Sequence, residues 1–341
     1  MKRSVHATLM RGGSSRGPVV EEAELPEPGA ERDRVLIDLI GRGRSQLDGV
    51  GGGTPTTSKV VIVQPARGDP DVDIAYCVGN VVVGADTIDY AGTCGNMTSA
   101  VPLFAQEHDW PCARGARGYR LRNTSTGQIV ETTFLGGSSS RDRGASARVR
   151  ADYLDPAGSV FEALLPTGSP ADDLILDGRP VRVSIVDATH PYVFVRYRDV
   201  VVTEGIDSEA SAAIERLRAA ACVRLGVVDV APDASRSSPA VPRIVLLEDA
   251  APPGELRVLA VSMGAVIGSV PVTAAMCAAA AAEVAGTLVN EVVVHGADGS
   301  LTVRGKTSDV IATATFADGA LVSVGVERTA RTIADAHIWL G

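Results

Sequence analysis

The chain has 341 residues, 45% hydrophobic and 21% charged, a composition that is typical of a folded globular protein and excludes a disordered one. This length exceeds a usual domain of about 150 residues by more than twofold, which predicts two domains. The net charge of −9 and the 4% of aromatic residues argue against a DNA-binding or anionic-membrane surface, since such surfaces need a basic field and single-stranded nucleic acid needs stacking platforms.

The first ten residues and the cysteines favour the cytoplasm. The N-terminus has no uninterrupted apolar run of the secretory type, and the five cysteines show no C-x-x-C spacing, which favours a reducing compartment. The stretch Val258–Ala282 is uncharged over 25 residues and is long enough to cross a membrane. Because Gly and Pro divide it and its second half is mostly Ala, it predicts a buried strand followed by a buried helix.

Most of the chain consists of short β-branched runs between Gly, Pro, Asp or Asn, a pattern that predicts strands. In chain order these are Lys59–Gln64, Ile74–Val83, Tyr119–Asn123, Gly127–Phe134, Val181–Val186, Tyr192–Tyr197, Arg243–Leu247, Arg257–Ser262, Glu291–Val294 and Leu321–Val326. Helical periodicity is rarer and predicts the helices Asn96–Glu107, Ser208–Leu225 and Val272–Val284. The last of these is apolar on all sides, which predicts a helix inside the protein.

One such enclosed helix in each half, with strands around it, indicates a duplicated α+β plan. The turn-rich segment around residues 165–185 predicts the boundary, with a first domain over 1–180 and a second over 181–327. Residues 328–341 are expected to return to the first domain. The segments Gly136–Gly144 and Ala231–Pro242 are rich in turn-forming residues and predict mobile surface loops.

The segment Met10–Gly17 (MRGGSSRG) is the first candidate binding element. Successive Gly and Ser residues let backbone N–H groups converge, and two hydroxyls and two guanidinium groups add donors for a carboxylate or phosphate. The alternative is an ordinary glycine turn between two strands.

The segment Gly49–Lys59 (GVGGGTPTTSK) leads directly into an apolar strand. Desolvation at the mouth of such a strand favours the neutral amine of Lys59, which would make it a general base. The commoner alternative is a solvated lysine at the start of a strand. The chain has three lysines, and two of them, Lys59 and Lys306, stand beside Ser/Thr clusters.

The segment Gly92–Ser99 (GTCGNMTS) places Cys94 immediately before a predicted helix. The free N–H groups of a helix start favour anions and a thiolate, so Cys94 could act as an acid or base while the N–H groups hold a carboxylate. The alternative is a buried structural cysteine.

Other common motifs are missing from the sequence. The segment Gly305–Ser308 (GKTS) resembles the end of a phosphate-binding loop, but the earlier glycine of that motif is displaced by one residue, at Gly299. The five histidines are scattered and no G-x-S-x-G occurs, so neither a metal site nor a serine nucleophile is predicted.

These blocks together resemble the diaminopimelate epimerase-like superfamily, and within it the PrpF family of 2-methylaconitate and aconitate isomerases and 4-oxalomesaconate tautomerases. The similar blocks are Met10–Gly17, Asp48–Val61, Gly92–Val101, Asn123–Gly127, Val186–Val195, Ser262–Gly264, Gly286–Asn290 and Arg328–Arg331. The resemblance therefore extends over almost the whole chain.

The resemblance implies an α+β fold of two pseudo-symmetric halves, each a β-barrel-like sheet around a central helix, with the site in the cleft between them. It implies a cofactor-independent allylic proton shift on a small unsaturated di- or tricarboxylate. Lys59 is the expected acid/base, and Cys94 is a second acid/base or a thiol that orients the substrate.

The expected substrate-binding residues are spread over both halves. They are Arg11, Ser14, Ser15, Ser58, Gly95, Asn96 and Met97 in the first half, and His190, Met263, Gly264, Thr273, Lys306, Thr307 and Ser308 in the second. No metal, cofactor, nucleic-acid or membrane partner is expected. The expected partner is a small anionic carboxylate, and a homodimer is left open.

A racemase or epimerase of the same fold is the first alternative. It needs two groups on opposite faces of the substrate, and the place of the second thiol in the two-cysteine epimerases falls on Pro271, while Cys277 lies one turn inside the helix. The second alternative is a polycarboxylate-binding protein without catalysis. This alternative stays open because the second half departs from the family pattern at His190, Ala265–Ser269, Ala274 and Lys306. Lys306 replaces a histidine of the family and is expected to strengthen anion binding.

Overall fold

A computed structural model describes residues 4–90, 94–112, 117–137, 144–201, 206–249, 251–262, 265–294, 296 and 299–341. The chain forms two compact units. The first comprises Met1–Leu154 and Glu327–Gly341, and the second comprises Asp155–Val326.

Strands and helices follow one another along the chain with short connections. The strands are β1 Ser4–Gly12, β2 Ser15–Glu21, β3 Lys59–Pro65, β4 Ile74–Val81, β5 Ile88–Asp89, β6 Arg120–Asn123, β7 Ile129–Gly137, β8 Ala147–Leu154, β9 Asp172–Leu176, β10 Arg179–Asp187, β11 Pro191–Arg196, β12 Arg243–Leu247, β13 Glu255–Ser262, β14 Ala265–Ile267, β15 Leu301–Arg304, β16 Asp309–Ala317 and β17 Ala320–Trp339. The α-helices are α1 Ala30–Ile40, α2 Gly95–Thr98, α3 Ala100–Glu107, α4 Tyr197–Val200, α5 Ser208–Arg224, α6 Ala234–Ser237, α7 Val272–Ala282 and α8 Leu288–Val292, with 3-10 turns at Glu22–Glu24 and Ala231–Asp233.

The sheet of the first unit is a closed ring. β1 pairs antiparallel with β2, β2 parallel with β3, β3 antiparallel with β4, β4 parallel with β6, and β6 and β7 antiparallel with their successors. β17 pairs with β1 and with β8, which closes the ring. Alternate residues of β8 are buried, as expected for a strand with one face in a core.

The helices of the first unit lie on opposite faces of this sheet. α2 and α3 pack against β1 and β2, and α3 is buried along almost its whole length, so it forms the enclosed helix that the sequence predicts. α1 packs against the other face with Leu36, Ile37, Leu39 and Ile40 in a cluster that includes Val20 and Val60.

The second unit repeats the same pairing pattern. β10 pairs antiparallel with β11, β11 parallel with β12, β12 antiparallel with β13, β13 parallel with β15, and β15 and β16 antiparallel with their successors. α7 is the enclosed helix, with every side chain buried except the half-buried Thr273. α5 covers the other face through a cluster that contains Ile214 and Leu217. The two units therefore share one topology, and the predicted duplicated α+β plan is confirmed.

Two predictions about elements differ from the structure. Residues 291–294 were expected to be a strand, but α8 spans Leu288–Val292 because Thr287 caps it: its Oγ1 accepts a hydrogen bond from the backbone N–H of Asn290 at 3.1 Å, and such a cap favours a helix. The segment 231–242 contains helical turns, not only loop. Residues 138–143 of the other predicted loop lie outside the described part.

Residues 155–180, placed in the first domain by the sequence analysis, belong to the second unit. The buried carboxylate of Asp187 on β10 accepts hydrogen bonds from the backbone N–H groups of Val160 and Phe161 at 2.7 and 2.8 Å. Asp187 therefore ties this segment to the second sheet. Among the described helices, none is long and apolar enough to cross a membrane.

Candidate active site

The turn of the β1–β2 hairpin lies directly on the start of α2. Gly13 has φ of 51°, a conformation that favours glycine, and a Cβ on it would lie 2.2 Å from Asn96 Oδ1. A Cβ on Gly12 would lie 2.3 Å from the Asn96 backbone oxygen. Asn96 Nδ2 donates to Ser14 Oγ at 3.1 Å. Glycine is needed at both positions because only a bare backbone allows this close approach.

Cys94 is the N-cap residue of α2 and is 9% exposed. Its Sγ lies 4.0 Å from the hydroxyl of Ser15, which is itself buried. The backbone N–H groups of Gly95, Asn96 and Met97 are in the first turn of α2 and have no acceptor within that helix. A thiol, a hydroxyl and several backbone donors therefore lie close together.

Lys59 is the first residue of β3 and is half-buried. Its Nζ donates to Oδ1 of Asn80 on β4 at 2.6 Å, and Asn80 Nδ2 donates to the backbone oxygen of Asp89 at 3.3 Å. Over the residues that the structure describes, no carboxylate lies within ion-pair distance of Lys59. The partner that the structure describes for this amine is therefore a neutral amide.

β2 connects these two parts of the site. Ser15, its first residue, contacts Cys94, and Gly17, two residues further along, lies against the backbone of Lys59. A Cβ on Gly17 would come within 1.9 Å of the Lys59 backbone oxygen. The absence of a side chain at Gly17 thus allows β2 and β3 to bring Lys59 next to the strand that contacts Cys94.

Two other predicted binding residues of the first unit hydrogen-bond to the protein itself. The buried Ser58 hydroxyl is hydrogen-bonded to Gln46 Oε1 at 2.9 Å and to the Thr54 backbone oxygen at 2.7 Å. Arg11 Nη1 donates to the Gly13 backbone oxygen at 2.9 Å and to Thr329 Oγ1 at 2.9 Å. These contacts fix the loop before β3 and the turn of the hairpin.

Two buried tyrosines near Cys94 were not predicted from the sequence. The Tyr76 hydroxyl lies 3.2 Å from Thr98 Oγ1, which donates to the Cys94 backbone oxygen at 3.1 Å. Burial raises the pKa of Tyr76 to about 12, and burial together with Tyr76 raises the pKa of Tyr153. Both phenols stay neutral at physiological pH, and Tyr76 supports the Cys94 backbone through Thr98 without adding negative charge.

Arg328 on β17 also lies beside the hairpin turn and was not among the predicted binding residues. Its Cδ would be 3.0 Å from a Cβ on Gly13. The sequence signal was its place in the block Arg328–Arg331, which resembles the PrpF family but carries no motif with a known chemical role.

Two predicted residues of the second unit, Thr273 and Ser308, lie at the start of α7. The Thr273 hydroxyl lies 2.8 Å from the Tyr192 hydroxyl. The Ser308 hydroxyl accepts from the Val270 backbone N–H at 3.0 Å, and the Thr307 N–H donates to the Gly268 backbone oxygen at 2.9 Å. Thr307 is exposed, and so is Lys306. Met263 and Gly264 lie outside the described residues.

His190 is half-buried in the second unit and hydrogen-bonds through Nε2 to the Ala240 backbone oxygen at 3.0 Å. Its ring packs edge-on against Tyr192, with centroids 5.3 Å apart. Burial, aided by the positive charge of Arg243, lowers the pKa of His190 to about 4. The imidazole is therefore neutral at pH 7 and is held by the backbone.

This shift predicts a loss of stability in weak acid. The unfolded chain binds a proton at His190 near pH 6.5, and the folded chain does so only near pH 4, so stability is highest above pH 6.5 and falls as pH decreases toward 4. We expect a contribution of about 2 kcal/mol to be lost between pH 7 and pH 5. Urea unfolding of the wild type and of His190→Asn at both pH values measures it; an equal loss in both proteins would contradict the prediction.

Cys277 is fully buried in α7, and its thiol donates to the Val186 backbone oxygen at 3.3 Å. Burial raises its pKa far above the ordinary value. The thiolate that would act as a base is therefore not populated at neutral pH. Among the described residues, no group of three or more His, Cys, Asp or Glu side chains is arranged to hold a metal ion.

Solved structures define the fold class. The crystal structure of a methylitaconate-delta-isomerase matches with a TM-score of 0.85 and 27% identity, covering 99% of this chain and 95% of that one. A hydroxyproline epimerase from Agrobacterium vitis matches with a TM-score of 0.53 and 14% identity over 99% and 91% of the two chains, a likeness of fold alone. The protein therefore has the epimerase-like α+β fold, as predicted.

The PrpF protein family matches residues 1–341. A 4-oxalomesaconate tautomerase from Pseudomonas putida is 30% identical, over 98% of this chain and 95% of the relative. The chain belongs to the PrpF family, and it is an isomerase. The family resemblance predicted from the sequence is thereby confirmed.

Proposed function

We propose that this isomerase moves an allylic proton in a small unsaturated di- or tricarboxylate, such as aconitate or 2-methylaconitate, without a cofactor. The observation that carries the proposal is the environment of Lys59, whose amine contacts the neutral amide of Asn80. Lys59 begins β3, and the neighbouring strand β2 begins with Ser15, which contacts Cys94. Two of the similar proteins, a methylitaconate-delta-isomerase and a 4-oxalomesaconate tautomerase, are named for the isomerisation of unsaturated acids, which supports this substrate class.

The chemistry needs a base and a place for developing charge. Removal of a proton from the carbon next to the double bond leaves a carbanion conjugated to a carboxylate, so negative charge grows on that carboxylate's oxygens. Backbone N–H groups of Asn96 and Met97 and the hydroxyls of Ser14 and Ser15 would stabilise that charge, because donors fixed in advance need no reorganisation.

Lys59 is the proposed base. Its neutral amine takes the proton from one carbon, and the resulting ammonium returns it to the other end of the three-carbon unit on the same face. Cys94 either donates that proton in place of the Lys59 ammonium, after which solvent restores both groups, or orients the carbanion. One face and one base suffice for such a 1,3-shift, and general acid–base catalysis of this kind contributes about a hundredfold to ten-thousandfold in rate.

The racemase alternative requires a second base on the opposite face. The remaining thiol of the enclosed helices, Cys277, is buried and hydrogen-bonded to a backbone carbonyl, which makes it unsuited to that role. The position before α7 that corresponds to Cys94 before α2 is occupied by Pro271. These features favour the double-bond isomerase over the racemase.

Proton NMR in D₂O tests the proposed reaction. Purified protein is incubated with cis-aconitate, trans-aconitate and 2-methylaconitate, and deuterium is expected at an allylic carbon together with a shifted or isomerised double bond. No exchange with any acid of the panel would refute the proposed substrate class.

Cys277→Ala distinguishes the two reactions within the same assay. The isomerase keeps its rate within about twofold, because Cys277 does not touch the reacting atoms. A two-thiol racemase loses activity on a chiral amino or hydroxy acid and incorporates deuterium at a stereocentre in the wild type. Thermal unfolding of both proteins checks that the variant is folded at the assay temperature.

A further inference from the structure

Arg328 places a cation beside the Gly13 turn and Asn96. A Cβ built on Gly13 would lie 3.0 Å from Arg328 Cδ and 2.2 Å from Asn96 Oδ1, so the arginine side chain and the Asn96 carboxamide border the same small space. Ser14, which accepts a hydrogen bond from Asn96 at 3.1 Å, is the next residue of the turn. The arginine therefore reaches the part of the first unit where the carboxylate donors lie.

The guanidinium of Arg328 is poorly satisfied by the protein. Its Nη1 donates to the backbone oxygen of Glu327 at 3.1 Å, and its Nε is buried without a hydrogen-bond partner among the described residues. Burial lowers its pKa to about 10, an effect that the nearby Tyr153 only partly offsets. Burying a guanidinium without an anion is costly.

Other arginines of this chain that are buried or half-buried form ion pairs with carboxylates. The half-buried Arg150 pairs with Asp152 at 2.9 Å, and the buried Arg32 pairs with Glu22 at 2.9 Å. Over the described part of the chain, Arg328 has no such carboxylate. Arg11, on the same hairpin, already donates to Gly13 and Thr329, so it is less available to a ligand than Arg328.

We infer that Arg328 binds one carboxylate of the substrate and is the cationic member of the donor set formed by Ser14, Asn96 and the first turn of α2. The inference rests on the proposed function, because it identifies the missing anion with a carboxylate of the substrate. The planar fork of a guanidinium matches a carboxylate with two parallel hydrogen bonds, which an ammonium cannot reproduce.

Calorimetry with tricarballylate tests this assignment. Tricarballylate has the three carboxylates of aconitate and no double bond, so its binding is measured without turnover. For Arg328→Met we expect a dissociation constant about tenfold to hundredfold higher than that of the wild type, the effect of losing a charged hydrogen-bond donor pair. Arg328→Lys keeps the positive charge but lacks the planar guanidinium, and it is expected to bind tricarballylate several-fold more weakly than the wild type.

Arg331→Met is the matched control, because Arg331 lies three residues further along β17 and is exposed. It is expected to bind like the wild type, and thermal unfolding shows which variants are folded. Unchanged binding in Arg328→Met, or in Arg328→Lys if the methionine variant does not fold, overturns the inference. Equal weakening in the Arg328 and Arg331 variants also overturns it, since that result indicates a general charge effect.

Different results would refute the proposed function and the role of Arg328. If the wild type neither binds tricarballylate nor exchanges protons with the acid panel, the substrate class is wrong and the assignment of Arg328 falls with it. If the wild type exchanges protons with the panel while Arg328→Met binds tricarballylate normally, the reaction stands and the role of Arg328 alone is refuted.

Discussion

Lys59→Ala is expected to reduce isomerisation and solvent exchange by about a hundredfold to ten-thousandfold, because it removes the amine that takes and returns the proton. Substrate binding is expected to change little, since the donors at Ser14, Ser15 and the start of α2 are intact. Deuterium incorporation measured by NMR gives the rate, and calorimetry with tricarballylate gives the binding constant.

Rescue by an added amine separates proton transfer from a structural role of Lys59. Methylamine and stronger or weaker bases of similar size enter the space vacated in Lys59→Ala, and the restored rate is expected to rise with amine basicity. A variant that is merely distorted gains nothing from added amine. Isomerisation that persists in Lys59→Ala without amine would move the proton transfer to Cys94, and Cys94→Ala would then abolish it.

Local sequence patterns were sufficient to predict those strands and helices whose own residues are buried on all sides. The apolar run at Arg243–Leu247 and the alanine-rich segment that forms α7 are examples, because burial on all sides leaves few alternatives. The hairpin of β1 and β2 was recognised only as a donor-rich turn between strands. The contact between the turn of this hairpin and Asn96 joins segments that are far apart in sequence, and hydrophobic periodicity does not reveal such contacts.

The sequence suggests candidate site residues where they stand in consecutive motifs. Ser14, Cys94 and Asn96 stand in short blocks rich in donors, so their chemistry is visible without a structure. The partners of these residues were not predicted. Arg328 reaches the Gly13 turn because the end of β17 pairs with β1, a pairing between the two ends of the chain.

Asn80 was missed for a related reason. It faces Lys59 across the β3–β4 pair, 21 residues away in sequence. Both strands were predicted, and an antiparallel arrangement of them contains this contact. The register was not accessible, because β3 is buried on both faces over most of its length and such a strand gives no alternation from which to read a register.

The contact between Lys59 and Asn80 leads to a prediction about pH. Asn80→Asp places a carboxylate where the amide oxygen now lies, 2.6 Å from Lys59 Nζ, with almost no change in size. The new charge holds the proton on the ammonium, and a neighbouring opposite charge of this kind shifts such an equilibrium by about one to three pH units. At pH 7 we therefore expect a rate about tenfold to a thousandfold lower than that of the wild type, recovering as the pH is raised.

The direction of the pH shift makes this result specific for a lysine base. In Asn80→Asp, the rise in rate that accompanies deprotonation of Lys59 is expected at higher pH than in the wild type. If the thiol of Cys94 is the base, that rise stays at the same pH. Asn80→Ala removes the contact without adding charge and is expected to lower the maximal rate without moving the rise in rate to higher pH. Gln64→Glu adds the same charge at an exposed position near the other end of β3 and should leave the profile unchanged. A profile of Asn80→Asp that coincides with that of the wild type would contradict Lys59 as the base, since a carboxylate in contact with the ammonium must oppose its deprotonation.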